Sequence, residues 1–260
     1  MKIIIVFVFL LILCMISSLA SNHQKRIEYS FSYEILNPKE PYDNWKSSDI
    51  SFFHKINDKF TYFVGISGFY RNQGNSILLR NGIYKDWSDN LYTFTYFSYG
   101  SKSDYLPKFV FHNDFNFKTG KNKNLVLSVG VSFIKYHTLN QDFIISSGLT
   151  YYQKGWNLTY KYFINKSDPG NIKSSSNLIS YGIGEEKKSW IYVDFSYGKQ
   201  AYLATYLANP LEVRQNSFYT SIKYRKWITP NSGYFTDLNY LDLQDSYKKY
   251  GFTIGFFKEF

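Results

Sequence analysis

The sequence has little cysteine, little histidine and few long apolar runs. Of its 260 residues only Cys14 is a cysteine, and it lies in an N-terminal apolar stretch. Without that stretch, neither a disulfide nor a thiolate metal site can form. No segment beyond residues 3–16 approaches the roughly 18 apolar residues of a membrane-spanning helix. The mean hydropathy is negative, at −0.33. The sequence therefore does not describe a helical membrane protein.

The N-terminus has the pattern of a secretory signal peptide. Lys2 precedes the apolar run at residues 3–16, and Ser18 and Ala20 supply the small residues of a cleavage site. The run is too short to span a bilayer comfortably. We predict a signal peptide at residues 1–20 and one domain at residues 21–260, because no Pro-rich or Ser-rich linker interrupts the remainder.

Aromatic side chains are abundant, with 26 Tyr and 24 Phe. Combined with a polar average, this composition is typical of a β-barrel that has a lipid-facing apolar band and a polar interior. Residues 27–35 and 252–260 alternate apolar with small or polar side chains, as strands do. A secreted β-sandwich rich in tyrosine is the alternative.

Segments of about ten residues separated by turn formers recur along the chain. They predict an all-β fold, a transmembrane antiparallel up-and-down β-barrel of 14 strands. A barrel of 12 strands is the alternative, because the pair 141–153 and 155–165 is weakly separated. Between the first strand (27–35) and the last, the predicted strands are 45–56, 60–71, 76–87, 91–100, 107–118, 124–136, 141–153, 155–165, 174–184, 189–198, 213–227 and 232–243.

The connections fall into two alternating sets. Short turns are predicted at 56–59, 88–90, 119–123, 154–155, 185–188 and 228–231. The other set includes the longer connections 36–44, 100–106, 166–173 and 199–212. Outer-membrane barrels have short periplasmic turns and longer extracellular loops, so we expect both termini in the periplasm. For 199–212 we expect an ordinary surface loop, with a short helix or lid at 201–207 as the alternative.

The formal net charge of the chain is +10, and the basic residues are dispersed. No nucleic-acid motif is present, so the anions that we expect as partners are outer-membrane lipids, chiefly lipopolysaccharide phosphates. Charged residues at inward-facing strand positions are candidates to line the lumen. These residues are Arg80, Asp114, Lys161, Asp194, Lys223, Arg225 and Asp237. They either line a narrow pore or pair across the lumen and plug it.

The sequence carries no catalytic or metal-binding motif. Outer-membrane lipid hydrolases use a His-x-Ser pair, but none of His23, His54, His112 and His137 has a serine two residues later. We expect His112 to pack near Asp114 in a structural hydrogen bond, although a triad assembled from distant strands stays open. No metal-ligand spacing is found. We predict no catalytic residues, no metal and no cofactor.

Several aromatic and glycine positions resemble a known family. They are Tyr70-Arg71 with Trp87, Tyr160 and Tyr162, Tyr181-Gly182, Tyr197-Gly198, and Tyr224-Arg225. In size and strand order the chain is similar to the YaiO-type outer-membrane β-barrels. The resemblance implies an outer-membrane location and a barrel. It implies no established activity, so it transfers no functional residues.

The C-terminal strand also resembles that of bacterial outer-membrane barrels, in which a terminal aromatic is part of the assembly signal. We assign that signal to Phe256 and Phe260, with the barrel-assembly machinery as the partner. The sequence therefore predicts a monomeric, non-enzymatic outer-membrane barrel with an envelope-associated structural or narrow transport role. A lipid-modifying enzyme of the phospholipase or deacylase type and a small-solute channel are the alternatives.

Overall fold

A computed structural model describes residues 24–40, 42–199, 216–244 and 246–260 of the protein. These residues form β-strands joined by turns and loops. The strands are β1 (Lys25–Asn37), β2 (Trp45–Asn57), β3 (Phe60–Arg71), β4 (Gly74–Asp86), β5 (Leu91–Gly100), β6 (Pro107–Thr119), β7 (Leu125–Tyr136), β8 (Gln141–Gln153), β9 (Trp156–Asp168), β10 (Ile172–Glu185), β11 (Ser189–Gly198), β12 (Ser217–Thr229), β13 (Ser232–Leu243) and β14 (Tyr247–Glu259).

The 14 strands form one closed antiparallel barrel in which each strand pairs with its neighbours in sequence. β1 closes the barrel by pairing with β14 from Arg26↔Glu259 to Asn37↔Lys248. The predicted fold class and the count of 14 strands are confirmed. β8 and β9 are separate strands paired in register from Gln141↔Asp168 to Gln153↔Trp156, so the 12-strand alternative is wrong.

The two faces of the strands have different compositions because successive side chains point to opposite sides. On β7, Leu127 and Val129 are 47% and 52% exposed on the outer surface, whereas Ser128 and Ser132 are buried inside. On β9, Leu158 and Ile164 are exposed and Asn165 is buried. An exposed aliphatic band outside and polar groups inside is the arrangement that lipid requires.

The connections differ in length between the two ends of the barrel. One end carries the connections 58–59, 87–90, 120–124, 154–155, 186–188 and 230–231, and the other carries longer ones such as 38–44 and 101–106. We call these the periplasmic and extracellular ends. The predicted long connection at 166–173 is wrong, since Ile172↔Ser167 and Lys173↔Lys166 still pair. Only residues 169–171 connect β9 to β10.

Two predicted features lie outside the described residues. These are the signal peptide at residues 1–20 and nearly all of the 199–212 connection, including its alternative short helix at 201–207. Among the residues that are described, none forms a helix long and apolar enough to cross a membrane.

Candidate functional site

The lumen contains a central chamber of about 700 Å³. The wall formed by β1 to β5 carries small polar side chains, which leave this space open. They include Ser30, Ser32, Ser47, Ser51, Ser67 and Ser98. Longer side chains of β12 and β13 also line the chamber, among them Lys223, Arg225 and Asp237. The chamber is therefore lined by both hydroxyl groups and charged groups.

Apolar side chains fill the lumen at the extracellular end of the chamber. We call this cluster the extracellular plug: Leu36, Trp45, Ile134, Tyr136, Ile144, Phe163, Tyr219, Leu241, Leu243 and Tyr247. They come from β1, β2, β12, β13 and β14 on one wall and from β7, β8 and β9 on the opposite wall. Because one packed cluster joins both walls, the plug spans the width of the barrel.

Sequence reasoning missed the plug because it treated the inward positions as polar. Ile144 is 5% exposed in the lumen, although Phe143 and Ile145 on either side of it are exposed on the outer surface. Such a run is apolar on both faces of one strand. A run of this kind at the extracellular end of a strand is the signal that would have identified the plug.

Arg71 connects Trp45 of the plug to Tyr105 at the extracellular mouth. The guanidinium of Arg71 lies 3.6 Å from the ring centroid of Trp45 and 4.3 Å from that of Tyr105. The Tyr105 hydroxyl donates to Gly74 O at 2.6 Å, and the Ser76 hydroxyl donates to Tyr105. Cation–π contacts are stronger when the guanidinium is desolvated, so Arg71 helps to hold both rings in place beside the chamber.

The two predicted arginines that line the chamber pair with carboxylates of β1 and β2. Arg80 forms an ion pair with Asp49, and Arg225 forms one with Glu28. The Arg225 guanidinium also lies 4.4 Å from the centroid of Phe257. Both arginines line the chamber.

The other predicted charges lie partly behind the chamber wall. Lys161 Nζ is 2.7 Å from Asp114 Oδ2, and Lys223 Nζ is 2.9 Å from Asp194 Oδ2. Lys223 and Asp237 line the chamber, while Asp114, Lys161 and Asp194 are absent from its lining. The seven predicted residues are thus not brought into one site. Six of them form separate ion pairs, as charges in a confined lumen must.

His112 joins two polar groups within the lumen wall. Its Nδ1 lies 2.7 Å from Ser132 Oγ, and its Nε2 lies 3.3 Å from Asp114 Oδ1. His112 is 1% exposed. The three residues resemble a nucleophile triad in composition, but Asp114 is shared with Lys161. The arrangement also faces the lumen, away from the lipid acyl chains.

A vestibule of about 380 Å³ opens at the periplasmic end, between β3 and β8. Lys59, Lys118 and Lys123 lie around it. The Tyr84 side chain borders both this vestibule and the central chamber. Its ring stacks on Phe94 with centroids 4.4 Å apart. The linings of the two open spaces therefore share Tyr84.

The described part of the chain contains no group of three or more His, Cys, Asp or Glu side chains placed to hold a metal ion.

The closed strand order, the lipid-facing apolar band and the polar lumen define an integral β-barrel of the bacterial outer membrane. The model of the family described as the YaiO membrane beta barrel domain matches residues 24–203. The chain belongs to this family. The predicted family and outer-membrane location are thus confirmed. No match was found among curated protein sequences.

Solved structures with the same fold include outer-membrane channels. The outer membrane protein Omp33 of Acinetobacter baumannii is 8% identical, with a TM-score of 0.54 over 90% of this chain and 98% of that one. An outer membrane channel from Pseudomonas putida F1 is 7% identical, with a TM-score of 0.52 over 92% and 95%. The anion-selective porin from Comamonas acidovorans is 9% identical, with a TM-score of 0.50 over 92% and 99%. At these identities the likeness concerns the fold.

Proposed function

We propose that the protein is a gated, narrow channel for small polar solutes. The observation that carries the proposal is the position of Tyr84, which borders both the central chamber and the periplasmic vestibule. Tyr84 belongs to the lining of both spaces and stacks on Phe94, so movement of this pair is the step that would join them in the proposal. The barrel size is also suitable, since 14 strands lie between filled eight-stranded barrels and open porins.

The extracellular plug is the gate in this proposal. Leu241 and Leu243 are 1% and 2% exposed, and Trp45 is 2% exposed. A hydrophobic constriction of this kind blocks ions by excluding water, and it opens when the apolar side chains separate. The protein at rest is therefore expected to conduct rarely.

The chamber lining determines the class of solute. Serine hydroxyls and charged side chains in the lining offer hydrogen bonds of both polarities. The chamber volume of about 700 Å³ accommodates a small molecule and no folded chain. Two proteins with the same fold are an outer membrane channel and an anion-selective porin, which supports passage of solutes by analogy.

Planar-bilayer recordings test the gate with two leucines of β13. Leu241 is 1% exposed in the plug, and Leu238 is 57% exposed on the outer surface of the same strand. Leu241→Ala is expected to raise the open probability or conductance about twofold or more by widening the constriction. Leu238→Ala is the matched control and should behave as the wild-type protein does. No conductance from either the wild-type protein or Leu241→Ala would refute the channel.

The position of Ser132 argues against the alternative of a lipid-modifying enzyme. Its hydroxyl faces the lumen beside a buried histidine, where a bilayer lipid cannot reach it. We therefore infer a non-enzymatic barrel. Closure of β1 onto β14 also leaves no strand edge open for another chain, which supports a monomer.

A further inference from the structure

Lys166 of β9 and Lys173 of β10 lie directly opposite each other in the strand register. Both side chains are exposed. They lie on the outer face, because Lys166 has the same parity as the exposed Ile164 and Lys173 the same parity as the exposed Ile179. Like charges directly opposite on one face of a sheet destabilise the pair. An anion bound between the two ammonium groups would relieve this repulsion.

The described part of the chain does not supply that anion. None of its ion pairs includes Lys166 or Lys173. The equivalent outward pair between β13 and β14 is different. There Asp242 is directly opposite Lys248, with the ammonium 3.6 Å from the carboxylate. Asp242 thus neutralises Lys248 at the extracellular rim, whereas no carboxylate in the described part of the chain neutralises Lys166 or Lys173.

The pair lies where the extracellular end meets the lipid-facing band. Ile164 comes two residues before Lys166 on the same face and is 50% exposed. Ile164 is directly opposite Ile145, which is 49% exposed, and Phe143 is directly opposite Lys166. A ligand that binds both lysines would therefore rest its apolar part on Phe143, Ile145 and Ile164.

Two further lysines lie at the same end of the barrel. Lys135 of β7 follows Phe133 on the outer face and is directly opposite Gln141. The backbone N–H of Lys199 donates to Ser175 O, one outward position from Lys173. We call Lys135, Lys166, Lys173 and Lys199 the lysine patch. Its members lie at the extracellular ends of β7, β9 and β10 and directly after β11.

We propose that the lysine patch binds the phosphate groups of lipopolysaccharide in the outer leaflet. The charge is complementary, the acyl chains lie over an apolar surface directly below, and the patch is at the extracellular end, where this lipid resides. Charge-assisted hydrogen bonds from Lys166 and Lys173 to one phosphate relieve their mutual repulsion. The inference is independent of whether the lumen conducts.

The substitution Lys173→Glu tests the proposal because it is expected to lower the affinity for lipopolysaccharide without lowering the thermal stability. It places a carboxylate directly opposite Lys166, which removes the repulsion. Without lipopolysaccharide, the purified protein in detergent is therefore expected to unfold at the same or a higher temperature. Its affinity for lipopolysaccharide is expected to fall about tenfold or more, because a cation that binds phosphate becomes an anion.

The control removes two positive charges from the other end of the barrel. Lys121 and Lys154 are exposed in periplasmic turns, and the double variant Lys121→Gln/Lys154→Gln should keep wild-type affinity. Dephosphorylated lipopolysaccharide should bind the wild-type protein as weakly as intact lipopolysaccharide binds Lys173→Glu. Wild-type affinity in Lys173→Glu, an equal loss in the control variant, or equal binding of phosphatidylglycerol would each overturn the proposal.

Discussion

Tyr29 of β1 and Phe256 of β14 lie directly opposite each other across the seam that closes the barrel. Both rings face outward and are 48% and 56% exposed. The backbone continues the seam to the end of the chain, where Phe260 N–H donates to Lys25 O at 2.9 Å. The last strand therefore contributes both half of the closing seam and an outward row of aromatic rings.

The exposed aromatic rings of Phe256 and Phe260 predict that alanine substitutions there impair assembly of the barrel but not its stability. The Phe260 ring is 59% exposed, so Phe260→Ala is expected to change the free energy of unfolding by less than about 1 kcal/mol. If Phe256 and Phe260 are the assembly signal, either alanine substitution lowers the amount of heat-modifiable barrel in the outer membrane. Phe195→Ala, at a 48% exposed site on β11, is the control. Equal amounts of all three variants would contradict the assignment.

A second prediction concerns Gly130 in the lumen wall. A Cβ atom at this position would overlap Asp114 Oδ1 and Ser146 Oγ. Gly130→Ala is expected to destabilise the barrel by about 1–3 kcal/mol, because the crowded side chains must shift. At Gly68, an added Cβ would meet no atom nearer than 3.5 Å, so Gly68→Ala should be neutral or slightly stabilising. Unfolding of both variants in urea measures the difference, and equal midpoints would refute it.

The strand count and the two faces were predictable because alternation with a period of two is a local property of the sequence. Leu127 is exposed on the outer surface and Ser128 is buried inside for this reason. Which residues lie opposite each other depends instead on the register of the paired strands. His112 and Ser132 are 20 positions apart, but they are opposite each other when the β6–β7 hairpin is counted back from its turn. A search for His-x-Ser along one strand cannot find such a pair.

The sequence predicted that charges in the lumen either line a pore or pair, but it did not predict which residues pair with each other. Asp114 and Lys161 were both candidates for the lumen, yet their contact joins β6 to β9 past two intervening strands. Arg225 pairs with Glu28 near the other end of the chain. Such contacts depend on barrel curvature and on small residues such as Gly130 and Gly148, which leave room for the long side chains.

The Asp114–Lys161 pair predicts a strong asymmetry between single and double substitutions. Both side chains are largely buried, at 8% and 17% exposure. Lys161→Met leaves a carboxylate without its ammonium partner and is expected to cost about 3–5 kcal/mol. Adding Asp114→Asn should recover part of that loss, since no uncompensated charge remains. A double-mutant cycle measured by reversible unfolding checks this, and strictly additive losses would contradict the coupling.

The last prediction concerns Arg80 and the net charge of the chamber. The Asp49 carboxylate accepts hydrogen bonds from Ser51 at 2.9 Å and from Ser67 at 2.7 Å as well as pairing with Arg80. Arg80→Gln removes the positive charge beside this carboxylate and leaves both serine hydrogen bonds in place, so the net charge of the chamber falls by one. Ion selectivity should then shift toward cations.

The measurement is the reversal potential of a planar bilayer under a KCl gradient, recorded in the Leu241→Ala background so that the plug does not limit conduction. The ratio of cation to anion permeability is expected to rise about twofold or more, because a charge in a narrow lumen is poorly screened. Lys226→Gln removes the same charge from the outer face of β12, as the parity of Lys226 with the exposed Ile222 shows, and should leave the ratio unchanged. An unchanged ratio in the Arg80 variant would mean that the ions do not pass Asp49.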